Sequence, residues 1–254
     1  MNGTRETDVV AALRAAGCVF AEDEAALLLG AAPDEAALAA MVRRRAAGEP
    51  LEQVVGFADF AGVRVRLRPG VFVPRVRSEL LVDEAVRRTG EGAVVVDLCC
   101  GSGALGLAVK RRRPSTILYA ADIDPVAVAC ARDNLTGRGE VFAGDLFEPL
   151  PPGLRIDVLL ANVPYVATGH LPFLPAEARD HEPRTALDGG DDGLDVLRAV
   201  AAGAPRWLAP GGVLLTEVTD AQIEGAITAV RAAGLSAEAI TDDDREATVV
   251  LGVR

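Results

Sequence analysis

The clearest signal along the chain is a change in hydrophobic period. From residue 92 onward, short apolar runs bounded by turn residues alternate with segments whose apolar positions recur every three or four residues. These are the signatures of buried strands and amphipathic helices. Residues 93–98 (AVVVDL), 116–123 (TILYAADI), 140–146 (EVFAGDL), 156–163 (IDVLLANV), 211–218 (GGVLLTEV) and 246–253 (EATVVLGV) read as strands. Residues 103–113, 125–135, 193–208 and 220–234 read as helices. Such alternation gives an α/β fold with a parallel, doubly wound sheet. The late strands suggest an antiparallel edge hairpin.

Ahead of this region the pattern differs. Residues 8–17, 22–32 and 34–48 carry apolar side chains at helical spacing. Asp23 and Asp34 stand at N-cap positions, and Gly17, Gly30 and Gly48 where helices would stop. Together they predict a small helical unit, too short to hold a large core alone. Val63, Val65 and Leu67 then alternate with Arg64, Arg66 and Arg68 between Ala61-Gly62 and Pro69-Gly70 turns, the pattern of a half-exposed hairpin strand. Ser78 is placed to cap a helix running from Glu79 to Arg88. The expected division is a helical unit at 1–50, a β-hairpin linker at 51–75 and an α/β domain at 76–254.

Composition narrows the function classes. Half of the 254 residues are hydrophobic, enough to bury a sizeable core. No run approaches the roughly 20 apolar residues of a membrane span, and the first residues lack the pattern of a secretory signal. A cytoplasmic location is expected, with no membrane partner. The net charge of −11 argues against duplex nucleic acid, whose binding relies on clustered Lys and Arg. The basic run at 110–113 sits at a helix end, where cations suit the helix dipole. Cys18, Cys99, Cys100 and Cys130 fit neither a disulfide framework nor a metal-ligand spacing, and no metal site is expected. His181 reads as a loop-ordering residue, Glu217 as a brace at the sheet edge and Trp207 as core.

The chemistry collects at strand ends. Gly101, Gly103 and Gly106 form G-x-G-x-x-G between the first α/β strand and its helix, where glycines let the backbone turn tightly and approach a ligand. Cys99, Cys100 and Ser102 are the small residues filling that loop. Asp97 ends the strand just before it. A carboxylate there repels a pyrophosphate and suits an ammonium group, which favours S-adenosylmethionine over a dinucleotide. Asp122 and Ile123 end the second strand, and Asp122 can accept both ribose hydroxyl hydrogens. Asp145 ends the third and can accept from the adenine amino group while Leu146 packs on the ring. Asn162, Val163, Pro164 and Tyr165 end the fourth.

These segments, "DLCCGSGALGL", "ADID", "GDLF" and "NVPY", resemble class I S-adenosylmethionine-dependent methyltransferases with an N-P-P-Y-type motif. Residues 48–86, 177–200, 209–222 and 242–253 further resemble the HemK/PrmC family of bacterial release-factor glutamine methyltransferases. The resemblance covers residues 40–254 and implies a seven-stranded methyltransferase domain with a small helical N-terminal domain. It also implies S-adenosylmethionine as cofactor and a protein substrate presenting a glutamine, a release factor being possible. The motif's physics fits. Asn162 Oδ1 and the Val163 carbonyl can accept the two N–H groups of a carboxamide and aim its nitrogen. Tyr165 can pack on the amide plane, and Pro164 fixes the turn. Most of the rate gain would come from positioning, and no strong base is needed.

The sequence departs from the family pattern in three places. N-P-P-Y has become Asn162-Val163-Pro164-Tyr165. P-R-P-E-T-E has become Pro74-Arg75-Val76-Arg77-Ser78-Glu79. The helical head is shorter than usual. A divergent branch is the expectation. The alternatives are a methyltransferase for another planar amino group, such as adenine in nucleic acid, and a non-catalytic relative that binds cofactor or partner.

Overall fold

The computed structural model describes residues 2–254. Helices α1 (Asn2–Ala15), α2 (Ala21–Ala31), α3 (Glu35–Ala46) and the short α4 (Leu51–Val55) make up the head. Leu13, Leu28, Leu38 and Val54 close a small core of its own. Asp34 caps α3, accepting from the Ala37 N–H at 2.8 Å. Asp23 does not cap α2. Phe20 holds the cap position, and Asp23 joins Glu22 and Glu24 in the first turn, at the positive end of the helix dipole. Gly30 lies inside α2 and does not stop it, whereas Gly17 and Gly48 take left-handed φ values of 90° and 93° just past α1 and α3. The segment at 51–75 was expected to be hairpin throughout. It begins instead with α4, because Val54 is drawn into the head's core.

Strands β1 (Phe57–Phe60) and β2 (Val63–Arg66) pair antiparallel across Ala61-Gly62. Both turn residues have positive φ, the conformation whose twist matches a hairpin. Val63, Val65 and Leu67 are buried, and the alternating arginines face out. A 3-10 turn at Val76–Ser78 then leads into α5 (Glu79–Arg88).

The α/β region follows as β3 (Val94–Leu98), α6 (Ala104–Arg112), β4 (Ile117–Asp122), α7 (Pro125–Leu135), β5 (Glu140–Ala143) and β6 (Ile156–Ala161). After a long excursion carrying α8 (Ala176–His181) and α9 (Arg184–Leu187) come α10 (Asp195–Trp207), β7 (Leu208–Val218), α11 (Ile223–Ala232), β8 (Ser236–Asp242) and β9 (Ala247–Val253). The seven strands lie in the order β5-β4-β3-β6-β7-β9-β8. All pairs are parallel except those of β9 with β7 and β8. β8 has no clear apolar run to announce it. It is an edge strand, and its partly exposed residues need little hydrophobicity.

Two cores cover the two faces of the sheet, which is why β3 and β6 are almost continuously apolar. Successive strands step from β3 outward to β5, and the chain then returns to lay β6 on the other side of β3. The crevice outside the carboxyl ends of β3 and β6 is therefore the switch point where open α/β sheets bind ligands.

Candidate functional site

At that switch point lies a cavity of about 900 Å³. Cys99, Cys100, Gly101, Ser102, Asp122 and Ile123 wall one half. Arg77, Ser78, Asn162, Val163, Pro164 and Tyr165 wall the other. The glycine loop and the N-V-P-Y turn thus face one space.

The loop half is built from left-handed backbone. Cys99, Gly101 and Gly103 have φ of 55°, 55° and 75°. Gly103 lies behind the cavity wall, where a β-carbon would meet Leu135 at 3.1 Å. At Gly106 a β-carbon would fall 2.9 Å from Leu118 and 3.2 Å from Asp97 Oδ2, so this glycine serves the close packing of α6 on the sheet. Asp97 is likewise fully buried behind the loop, not on its surface. Its Oδ2 accepts from the Gly106 N–H at 2.9 Å, while Oδ1 has no partner among the described residues. Burial pushes its carboxyl from 3.8 up to about 7, the Gly106 N–H opposing and Asp122 adding to the rise. Burial also drives both loop thiols upward, helped at Cys99 by Asp122, Asp97 and Asp145.

Asp122 reaches the cavity with both oxygens already engaged by backbone. Oδ2 accepts from the Gly101 N–H at 2.8 Å and Oδ1 from the Asp124 N–H at 2.9 Å. Each oxygen keeps further acceptor capacity. Burial raises its pKa against these bonds. Ile123 beside it is 65% exposed. The third strand end stays near the loop, where Asp145 acts on Cys99, but does not line the cavity. Asp145 and Leu146, expected at the adenine, lie outside the cavity walls. β5 stops at Ala143, and Gly144 packs so tightly on Pro149 that a β-carbon would be 3.0 Å from it. Leu146 is partly buried against the core that Cys99 also borders, and Asp145 is exposed.

The acceptor half also draws in residues that the sequence pattern assigned other roles or passed over. Ser78 makes no cap bond to α5. Its Oγ accepts instead from Asn162 Nδ2 at 3.1 Å. Asn162 Oδ1 accepts no hydrogen bond among the described residues, and no backbone N–H donates to the Val163 carbonyl. The Val163 side chain is 2% exposed and belongs to the core. Loop 188–193 clamps the turn from outside. A β-carbon at Gly189 would sit 2.6 Å from the Pro164 carbonyl oxygen, and one at Gly193 2.2 Å from that of Tyr165. Gln222 Nε2 donates to the carbonyls of Tyr165 (2.8 Å) and Asp192 (3.0 Å).

Arg77 Nη2 donates to the Tyr165 hydroxyl, and Arg77 Nε donates to Glu217 Oε1 at 3.0 Å. Burial pushes the Tyr165 phenol up to about 12, with Glu217 adding and Arg77 opposing. Glu217, at the end of β7, is tied to the cavity wall through Arg77 and does not itself line it. His181 lies off the cavity wall, whereas His170 is on it. Three ion pairs hold the outer wall. Arg75 pairs with Glu182 at 2.7 Å, and Arg45 links Glu24 in the head to Glu177 in α8, both at 2.6 Å. Their partners lie far apart in sequence, and no local pattern signals them.

Comparison with known proteins agrees with this geometry. Residues 62–174 match the methyltransferase small domain. The release factor glutamine methyltransferase of Geobacter sulfurreducens is 40% identical over 76% of this chain and 69% of its own. That of Mycolicibacterium smegmatis is 41% identical over 74% and 69%. A 4-amino-L-phenylalanine/4-methylamino-L-phenylalanine methyltransferase of Streptomyces pristinaespiralis is 37% identical over 76% and 69%. Among solved structures, the T. thermophilus 16S rRNA N2 G1207 methyltransferase in complex with AdoMet and guanosine shares the fold. Its TM-score is 0.56 at 20% identity, over 78% of this chain and 49% of that one. The sheet order, the cavity and these relatives agree: the chain is a class I methyltransferase and belongs to the HemK/PrmC family of release factor glutamine methyltransferases.

Proposed function

We propose that the protein uses S-adenosylmethionine to methylate the side-chain amide nitrogen of a glutamine in a protein, and that this protein is a peptide chain release factor. One observation carries the reading. Two acceptors without donors, Asn162 Oδ1 and the Val163 carbonyl, stand at the end of β6 in the same cavity as the glycine loop. A carboxamide nitrogen is a poor nucleophile because its lone pair is delocalised into the carbonyl. Accepting both of its N–H groups fixes the amide plane, and with it the direction in which the nitrogen can react. The Tyr165 ring covers that plane. After transfer the methylated amide releases one proton to water, so the residues need only hold the amide in place. The names of the Geobacter sulfurreducens and Mycolicibacterium smegmatis relatives support the glutamine and the release factor.

The loop half fits the cofactor. Asp97, behind the loop, has an Oδ1 without a partner among the described residues, and a cofactor ammonium close by would favour its ionised form. Asp122 keeps acceptor capacity for ribose hydroxyls. Gly101, Ser102, Cys99 and Cys100 offer a wall without bulk, and a β-carbon at Gly101 would project into open space. Ile123 presents an exposed apolar face for the adenine. Asp145 and Leu146 are left out of these contacts. When bound, S-adenosylmethionine would supply an electrophilic methyl group on sulfur. The proposed division keeps the head, the hairpin linker and the catalytic region distinct, supported by the head's separate core.

The walls carry Asp122, Glu177, Asp191 and Asp192, and both arginines on them are paired with glutamates. A nucleic-acid acceptor would need an unpaired basic track, so adenine is the weaker reading. A small arylamine has a specific observation behind it, the Streptomyces pristinaespiralis relative. Its planar amino group could use the same two acceptors. The deciding experiment offers labelled S-adenosylmethionine with a bacterial peptide chain release factor, or with 4-amino-L-phenylalanine, and maps the product by mass spectrometry. Methyl on a release-factor glutamine supports the proposal. Methyl on the arylamine alone replaces it, and label in neither acceptor refutes it.

A further inference from the structure

Two consecutive side chains of the 3-10 turn before α5 hold the two ends of the N-V-P-Y turn. Ser78 accepts from Asn162, and Arg77 donates to the Tyr165 hydroxyl. Position 77 is also where the family-like pattern P-R-P-E-T-E carries a glutamate and this chain carries the opposite charge. We propose that Arg77, anchored by Glu217, is a positioning residue that fixes the Tyr165 ring over the acceptor group; the inference rests on the methyl-transfer reading above.

The three residues come from separate elements: the 3-10 turn before α5, the segment after β6, and the end of β7. The Glu217 side chain is only 3% exposed, that of Arg77 46%. A buried carboxylate needs a partner, and Arg77 Nε supplies one to Oε1, while Oε2 has none among the described residues. That contact orients the guanidinium, whose planar fork then aims Nη2 at the tyrosine. The guanidinium carbon also lies 5.6 Å from the Tyr165 ring centroid, within cation–π range. A half-exposed arginine loses much rotamer freedom when held at both ends, and the order gained is passed to the ring. Gln222 and the close approach of Gly193 already fix the Tyr165 backbone. With the hydroxyl held as well, the ring is fixed at both ends before any substrate arrives. Preorganisation of this kind raises the fraction of encounters in reactive geometry.

The chain has two tyrosines, Tyr119 and Tyr165, so labelling tyrosine with carbon-13 at the ring carbon bearing the hydroxyl gives two resonances. Tyr165→Phe assigns one of them. Arg77→Met should shift that resonance, and an unmoved signal overturns the contact. In methyl transfer to the release factor, Arg77→Met should lower kcat roughly tenfold while cofactor affinity stays within about twofold. In the Tyr165→Phe background the same substitution should cost less than about twofold. A full loss there overturns the proposal, because Arg77 would then act on the acceptor directly. Since Arg77→Met strands a buried carboxylate, Arg77→Met/Glu217→Gln is measured beside it and should show the same dependence on the Tyr165 hydroxyl. The resonance needs no acceptor. If the wild type methylates no release factor, the functional reading fails while the tyrosine signal still decides the contact.

Discussion

Asp97 stores a conflict that cofactor binding should resolve. Its side chain is fully buried, one oxygen is bound to the Gly106 N–H, and the other has no partner among the described residues. The folded carboxyl titrates near 7, above the ordinary value of 3.8. Folding therefore favours the protonated form. The stability this confers is complete below about pH 4 and is lost as pH rises through about 7. At about 1.4 kcal/mol per pH unit, the loss in the free protein comes to about 4 kcal/mol. Asp97→Asn cannot ionise, so its unfolding free energy should lack this decline. Urea unfolding can be followed from pH 4 to pH 8 on Trp207, the single tryptophan, which stacks on Phe147 at 5.8 Å. The gap between the variant and the wild type should shift by about 4 kcal/mol in the variant's favour across that range. Binding should move oppositely. A cofactor ammonium favours ionised Asp97, so binding near pH 7 should release protons from the wild type and none from Asp97→Asn, read by calorimetry in buffers of different ionisation enthalpy. Parallel pH curves for the two proteins would refute the reasoning.

Asn162→Ala removes one of the two free acceptors and should lower kcat by about 10²-fold or more with little change in the urea midpoint. Activity within a few fold of wild type sinks the cradle. Gly193→Ala puts a β-carbon against the Tyr165 carbonyl at a φ of 77°, so kcat should fall by about tenfold or more while calorimetry finds cofactor binding preserved. Arg45→Met leaves Glu24 buried without its cation and should cost about 3–5 kcal/mol in the unfolding of the head, followed by helical circular dichroism. A loss below about 1 kcal/mol would mean that the head does not depend on this pair.

The same contacts suggest how the head, the linker and the site depend on one another. Arg45 joins α2 and α3 to α8, which stands in the cavity wall. Residues 75, 77 and 78 each hold a group in or beside the acceptor half. Substitutions in the linker therefore reach the acceptor through defined hydrogen bonds without altering Asn162 or Tyr165. The valine in N-V-P-Y is easier to accommodate, because its side chain is core and the turn offers its backbone carbonyl.

Local pattern determined much of the fold. Strand and helix periods from β3 to α7 are set by which residues must be buried, and the range 125–135 read from sequence coincides with α7. The glycine loop was legible because left-handed turns favour glycine, and the acids at strand ends because polar residues interrupt apolar runs. What sequence could not supply was the choice of long-range partner. Ser78 read as a helix cap, and in three dimensions Asn162 takes its oxygen. Glu217 read as a sheet brace, and Arg77 claims it from 140 positions away. Asp145 and Leu146 fit the strand-end rule, yet neither stands in the cavity wall. Asp97 fit it too, yet its carboxylate serves the loop from behind. β8, α8 and α9 carry too little apolar period to be read. Burial writes its pattern locally into the sequence, whereas the pairing of polar groups depends on which distant segments the folded sheet brings within about 3 Å of one another.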